Sequence, residues 1–373
     1  MPATLPKVEH VTTELTQRRD QMVGRLAPFL GRMVRREHFS LPGDINNHSR
    51  VLVVDSGDLT ELLFFAPVLN HLKRRHPGMR VTMLVREGNG ELIRTLENIS
   101  ELISYEPEHL TLFSTTYLNL LRRVKARNFD AVFLLGREFN FARSMVTLFS
   151  RARLRVGFTQ KFTYPFLNCE IRTSNEPMYE APRALSFLSV LGQSPGDSVI
   201  AWKLPDNDVR WAQQMIHFRK PDKDTMLMVV DPGMGKGGHR LVESAMAHIA
   251  AEVARRNGAR ILLLSNNLDA KGLARFKALL PNVVLDLEPK NVKEALALLS
   301  RADLVLAGNT DYFHFAVGMR RPTIGFFTRF DASNWFPKSA PWVQIIQGMR
   351  GQQVSVDEVC SKIDTLLHFA ASR

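Results

Sequence analysis

Three stretches of the chain hold residue types that could do chemistry on a phosphorylated ligand. The first is Gly308-Asn309-Thr310-Asp311, followed by His314. It comes after the strand-length apolar run Leu304–Ala307 and before a short apolar helix and a second apolar run, Thr323–Phe327. Turns at the carboxyl ends of strands are where open α/β sheets bind ligands. Unpaired N–H groups at the start of the following helix, together with its dipole, favour an anion. The second stretch is Asp231-Pro-Gly-Met-Gly-Lys-Gly-Gly-His-Arg240, the most glycine-rich loop of the chain, between an apolar run over 226–231 and an amphipathic helix over 241–256. Glycines let backbone donors approach phosphate oxygens closely, and Lys236 adds a cation, which makes Gly235, Lys236, Gly237, Gly238 and Arg240 candidate ligands. The loop is neither GxxxxGK[ST] nor a GxGxxG with an acidic residue ~20 positions on, so a dinucleotide oxidoreductase is poorly supported. The third stretch is Asp55-Ser56-Gly57-Asp58 after a buried-strand run over 51–54. Asp58 is either a helix N-cap, as Gly-Asp pairs often are, or a working carboxylate, with Glu61 one helical turn on as the alternative.

These stretches need a scaffold of alternating strands and helices, and the apolar periodicity supplies one. Strands are predicted over 51–54, 80–85, 101–104 and 130–135, with helices over 60–75, 117–126, 139–150 and 178–192. Pro195, Gly196, Pro205 and Asp206 mark a linker. The cadence then restarts with strands over 226–231, 260–264, 283–287, 304–307 and 323–327, and helices over 241–256, 270–280, 292–300 and 354–371. Asp269 is a helix N-cap or a ribose or base ligand. The predicted division is an extension over 1–49, a first domain over 50–195, a linker over 196–224, a second domain over 225–350 and a closing helix over 351–373.

The order Asn309-Thr310-Asp311, His314, a small-residue helix, Pro322, a β run ending in Phe327, then Thr328 and Pro337 resembles the donor-site signature of glycosyltransferase family 9. Ser56-Gly57-Asp58 matches that family's amino-terminal Gly-Asp element, and residues 151–158, RARLRVGF, resemble its basic run into Val-Gly-Phe. Asn309 stands where the family usually has Asp, Asp311 where it has Gly, and Lys236 lacks the Trp-Pro element that follows it there. The resemblance implies two Rossmann-like domains with parallel sheets in the GT-B arrangement. It implies inverting transfer of a heptose-like sugar from a nucleotide-diphosphate sugar, ADP-heptose, to an anionic glycolipid or glycan such as lipopolysaccharide core, with no cofactor and no bound metal. Inversion asks one group to take a proton as the acceptor hydroxyl attacks the anomeric carbon, and the resemblance gives that role to Asp58. The donor diphosphate would lie near 235–238 and 309–314, with His314 at the mouth of the turn. The departures from the signature leave open a catalytically silent GT-B shell that binds a glycan, nucleotide sugar or partner protein. An Asp311 carboxylate near a diphosphate would repel it unless Lys236 or Arg320 screened it.

The formal charge of +12 favours anionic partners. Arg143, Arg153, Arg155 and Lys161 are candidates for an acidic acceptor, although any single one reads more readily as part of a solvated basic face. No nucleic-acid motif is visible, and the aromatics are mostly Phe inside apolar runs. Met22, Val23, Leu26, Phe29, Leu30, Met33 and Val34 recur at helical spacing among Arg25, Arg32, Arg35 and Arg36, bent at Pro28. That basic amphipathic helix lies either on an anionic membrane surface or on the protein's own body. No apolar stretch reaches membrane-spanning length, and no secretory apolar core is visible at the start. The chain is therefore expected in the cytoplasm, with peripheral contact at the inner membrane. Cys169 and Cys360, with no CxxC pair, read as ordinary reduced thiols.

Overall fold

Apolar runs too short for helices become strands, and because helices connect them they pair in parallel. The computed structural model describes residues 23, 26–32, 38–96, 98–112, 114–173, 180–192, 202, 204–220, 222, 224–233, 243–265, 270–280, 282–328, 332, 340–348 and 354–371. After a short helix α1 (residues 26–32) the first half runs β1 (Arg50–Val54), α2 (Leu59–Arg75), β2 (Arg80–Arg86), α3 (Glu87–Ile93), β3 (Glu101–Tyr105) and α4 (Thr115–Lys125). It continues through β4 (Ala131–Leu134), α5 (Phe141–Phe149), β5 (Leu154–Phe158) and β6 (Cys169–Ile171). These strands form a six-stranded parallel sheet in the order β3-β2-β1-β4-β5-β6, whose order reverses between β1 and β4.

Helices α6 (Glu180–Leu185), α7 (Phe187–Val190) and α8 (Asp206–His217) lead to β7 (Leu227–Asp231), α9 (Glu243–Asn257), β8 (Arg260–Leu263) and α10 (Ala270–Ala278). Then follow α11 (Val292–Leu299), β9 (Leu304–Ala307), α12 (Asp311–Gly318), β10 (Thr323–Phe327), β11 (Val343–Gln347) and α13 (Val356–Ala371). The second sheet is five-stranded and parallel, β11-β10-β9-β7-β8, and reverses between β7 and β9. Strands β4, β5, β7, β9 and β10 are buried along their whole length, which is why they read as unbroken apolar runs. One apolar core passes between the halves. It includes Phe64 and Phe65 of α2, Phe187 of α7, Leu296 of α11 and Phe313 and Phe315 of α12.

The structure departs from the sequence reading at several elements. The strand predicted over 283–287 is a single bridge between Val284 and Ile261, since the polar Asp286 and Glu288 and then Pro289 cut the run short. The predicted linker contains α8, which packs on α11. The helix predicted over 178–192 is, within its described residues, the two short helices α6 and α7. Helix α1 answers the question left open by its amphipathic stripe for its described residues. Val23 and Leu30 are buried with Phe141 and Phe166 of the first half, and Leu26 packs beside them. A Cβ on Gly31 would come within 2.6 Å of the Tyr164 hydroxyl, so that aromatic lies against the helix backbone. Among the described residues no helix is long and apolar enough to cross a membrane.

This docking has a measurable consequence. Leu30→Ala should lower the unfolding free energy by about 2 kcal/mol, the low end for a buried leucine truncated at a surface-docked helix. Urea denaturation that leaves the midpoint unchanged would mean that α1 does not rest on Phe141 and Phe166 in solution.

Candidate functional site

Both sheets place their reversal points at carboxyl strand ends, where a crevice opens. In the first half the turn after β1 fills that place. Asp58 is the N-cap of α2, its Oδ1 accepting from the Thr60 N–H at 2.8 Å while its own N–H donates to Ser56 Oγ at 3.2 Å. Gly57 sits at φ +84°, and a Cβ there would lie 3.2 Å from Nη2 of Arg143, so the guanidinium leans over the turn. Arg143 is delivered by the first turn of α5, whose N-cap Asn140 accepts from its N–H at 3.1 Å.

Beneath the turn Asp55 is fully buried. It accepts from the Tyr105 hydroxyl at 2.7 Å and from the Arg86 N–H at 3.1 Å. Burial pushes the Asp55 carboxyl above the usual carboxylate range, against the pull of these donors and of the Arg143 charge. Burial likewise raises the Tyr105 phenol, and the Asp55 charge adds to it. Glu61 lines a small cavity of about 40 Å³ with Phe64, Gly136, Arg137, Glu180 and Phe187. Glu180 there accepts from Arg137 at 2.9 Å and pairs with Arg183 at 3.2 Å.

In the second half Asp231 ends β7 fully buried, its Oδ1 accepting from the Gly233 N–H at 2.8 Å. Burial pushes its carboxyl up to about 6, against the hydroxyls of Thr310 and Ser265, and the nearby Asp311 charge pushes the same way. Thr310 is the N-cap of α12, accepting from the Phe313 N–H at 3.3 Å. Asn309 and His314 are both buried and share a hydrogen bond of 2.9 Å between Oδ1 and Nε2. The Asn309 Nδ2 is buried without a protein partner among the described residues.

The halves meet at the two helix N-termini. Thr60 Oγ1 of α2 donates to Asp311 Oδ1 of α12 at 2.5 Å, and Phe64 meets His314 edge-on with ring centroids 5.4 Å apart. Asp58 and Asp311 are therefore joined through one residue, Thr60, which gives its N–H to the first and its hydroxyl to the second.

Comparison with known proteins places the chain in a family. The model of glycosyltransferase family 9 (heptosyltransferase) matches residues 117–364, well over half of the chain. The chain belongs to glycosyltransferase family 9. It is 23% identical over 267 residues to the lipopolysaccharide core heptosyltransferase OpsX of Haemophilus influenzae, covering 70% of this chain and 73% of that protein. Its fold is similar to the Escherichia coli ADP-heptose lipopolysaccharide heptosyltransferase II, with a TM-score of 0.71 and 14% identity over 86% of this chain and 99% of that one. It is also similar to Escherichia coli heptosyltransferase WaaC with ADP-2-deoxy-2-fluoro heptose, with a TM-score of 0.63 and 16% identity over 84% and 99%. The two parallel sheets are thus the GT-B arrangement of this family.

Several residues singled out through the family signature sit elsewhere than the sequence suggested. His314 is not at the mouth of its turn but 1% exposed, enclosed by Phe64, Phe313 and Asn309. Asp311 reaches toward Thr60 of the other half. Arg320 lies beyond the far end of α12, over the Trp342 ring at 5.5 Å, and does not screen Asp311. Arg155 is buried, its guanidinium donating to the carbonyls of Phe166 and Ala152 at 2.9 Å each, so it supports the sheet edge rather than facing an acceptor. Arg153 donates to the His38 carbonyl and lies 3.5 Å from Asp44, which pins the segment before β1. Lys161 is exposed over the Phe162 ring at 5.6 Å. Of the four basic candidates, Arg143 is the one beside Asp58. Gly235, Lys236, Gly237, Gly238, Arg240 and Asp269 lie outside the described residues. The loop holding the first five starts from Gly233, whose carbonyl is 3.9 Å from where a Cβ on Gly308 would stand, so it departs beside the Asn309 turn.

Thr60, Asp55, Tyr105 and Asp231, which the structure places in and beneath these turns, are not among the site residues expected from sequence. A signal for two of them was present, since Val53-Val54-Asp55-Ser56-Gly57 and Val229-Val230-Asp231-Pro232-Gly233 repeat one pattern in the two halves. In each, the aspartate turns back under its own loop.

The raised carboxyl of Asp231 makes stability depend on pH with a definite sign. Its ordinary value of 3.8 rises to about 6 on folding, so between these values the folded chain holds more protons than the unfolded one. The favourable contribution is complete below the lower value and is lost as pH rises through the upper one. Asp231→Asn removes this titrating carboxyl. The stability of the variant relative to the parent should rise by on the order of 2–3 kcal/mol between acid and neutral pH, followed by urea denaturation. A difference that is flat with pH would contradict the assignment.

Proposed function

We propose that this protein is an inverting glycosyltransferase that moves a heptose-like sugar from a nucleotide-diphosphate sugar, ADP-heptose, to an anionic glycolipid or glycan such as lipopolysaccharide core. The observation that carries this reading is the meeting of two helix N-termini, with Asp58 capping one and the Asn309–Asp311 turn opening the other, joined through Thr60. An acceptor hydroxyl held against Asp58 gives up its proton to that carboxylate as its oxygen attacks the anomeric carbon from the face opposite the diphosphate. The departing diphosphate gains negative charge, which N–H groups and dipoles at the start of α12 and α2 stabilise. The buried Nδ2 of Asn309 is a further donor at that turn, and the sequence adds Lys236 on the neighbouring loop. The names of OpsX and of WaaC with its ADP-linked fluoro-sugar support the choice of sugar and nucleotide.

Arg143 is the residue suited to an acidic group on the acceptor. Its guanidinium stands over Gly57 next to Asp58, and its buried Nε has no protein partner among the described residues. The net charge of +12 suits the same acceptor class and peripheral contact with an anionic membrane face.

The test is Asp58→Asn, which keeps a good N-cap and so the fold. Release of ADP from ADP-heptose in the presence of lipopolysaccharide core should fall by ~10²–10⁴-fold, with donor affinity by calorimetry almost unchanged. Unaltered turnover would remove Asp58 as the base. Arg143→Ala should raise the acceptor KM and leave donor affinity alone, and an effect confined to the donor would overturn its placement on the acceptor side.

A further inference from the structure

Resting on the reading of Asp58 as the base, we propose that Asp311 is a positioning residue which sets the Asp58 carboxylate from the opposite half of the molecule, through Thr60. Thr60 carries two bonds with different destinations. Its backbone N–H donates to Asp58 Oδ1 at 2.8 Å, and its hydroxyl donates to Asp311 Oδ1 at 2.5 Å, the length of a hydrogen bond to a charged oxygen. The cap of α2 requires the first bond only, since any residue but proline at that position supplies an N–H. The hydroxyl is a separate feature, on a side chain that is fully buried, where a hydroxyl left without an acceptor would be costly.

The second point of contact between the two helices fixes the geometry of the first. Phe64 lies one turn beyond Thr60 on α2, and His314 one turn beyond Asp311 on α12. Their rings meet edge-on at 5.4 Å, and Asn309 and Phe313 hold the imidazole from the other sides. Two contacts one turn apart prevent α12 from rolling against α2, so the Asp311 carboxylate arrives at Thr60 in one register. Position 311 lies in the first turn of α12, where the dipole favours a carboxylate.

Base alignment thereby becomes conditional on the two halves being together. When they part, the Thr60 hydroxyl loses its acceptor and the first turn of α2, with Asp58 at its cap, loses its external brace. When they close on a nucleotide-diphosphate sugar, the same bond restores the base opposite the anomeric carbon. Asp311 then acts in transfer without being a ligand of the diphosphate.

The experiment is a double-mutant cycle on the full chain, with kcat, donor affinity by calorimetry and urea unfolding measured for every variant. Thr60→Val and Asp311→Ala should each lower kcat about tenfold, a modest share of what misplacement of a catalytic group can cost, with donor affinity nearly unchanged. The double variant should be no slower than the slower single one, because both remove one bond. Thr60→Ser and Asp311→Asn keep a hydroxyl and an acceptor oxygen and should retain most of the rate. The proposal is overturned if Asp311→Ala weakens donor binding while kcat stands, if the two rate effects multiply, or if Asp311→Asn is as slow as Asp311→Ala. Coupled effects of the two changes on unfolding support the tie even should the parent protein show no turnover, an outcome that strikes the transferase reading alone. Independent effects on unfolding overturn it.

Discussion

The contact on which this molecule depends is the meeting of α2 and α12 at their N-termini. Each helix starts at a sheet's reversal point, so each presents unpaired N–H groups and the positive end of a dipole to the crevice. Bringing two such ends together is unfavourable unless negative charge lies between them. Asp58 and Asp311 supply it, one as the cap of the first helix and the other inside the first turn of the second. Thr60 lies between them and donates to both. On the proposed reading an acceptor hydroxyl meets the Asp58 carboxylate with its orientation fixed by the Thr60 N–H, and a diphosphate entering beside these two acids needs the cation that Lys236 adds in the sequence.

The two buried acids beneath the turns show how this arrangement is supported. Asp55 and Asp231 stand at the carboxyl ends of β1 and β7, each the first strand of its sheet in chain order, and both are fully buried. A carboxyl in such a place is tolerated only when donors converge on it. Asp55 receives Tyr105 and the Arg86 N–H, and Asp231 receives the Gly233 N–H with Thr310 and Ser265 close by. The Asp55 bonds tie the turn after β1 to the ends of the strands beside it, while Asp231 holds its own turn through Gly233. The floor of the crevice is thereby braced from within each sheet, while the α2 to α12 contact braces it between sheets.

The scaffold was largely legible in the sequence because its central strands are buried on both faces. Runs such as Leu304–Ala307 and Thr323–Phe327 admit no other reading once bounded by Gly308 and Pro322. Of the elements that escaped, α8 and β11 fell outside the expected cadence, and two others have local sequences that oppose their state. Helix α3, EGNGELI, contains two glycines, and β6 is three residues at a sheet edge. Positions of functional turns were legible for the same reason as the strands, but the directions of side chains were not. Burial of His314 requires Phe64, which lies 250 residues earlier in the chain, and burial of Arg155 requires the carbonyl of Phe166 on a neighbouring loop. No spacing rule carries that information, because it arises only when separate elements are packed against one another. The repeated Val-Val-Asp motif was readable and points to a buried polar residue that local sequence does announce.

The departures from the family signature become intelligible in the same terms. At first sight Asn309 in place of an aspartate, and Asp311 in place of a glycine, suggest a turn that has lost its chemistry. In the structure the number of carboxylates in the turn is the same, and the charge stands two residues further on. Asn309 is buried against His314, where a neutral amide can accept from the imidazole and where a second charge close to Asp231 would be costly to desolvate. Asp311 stands where α12 faces the other half, and there the carboxylate has the Thr60 hydroxyl to receive it. The pair of changes therefore moves one negative charge from behind the turn to the seam between the halves.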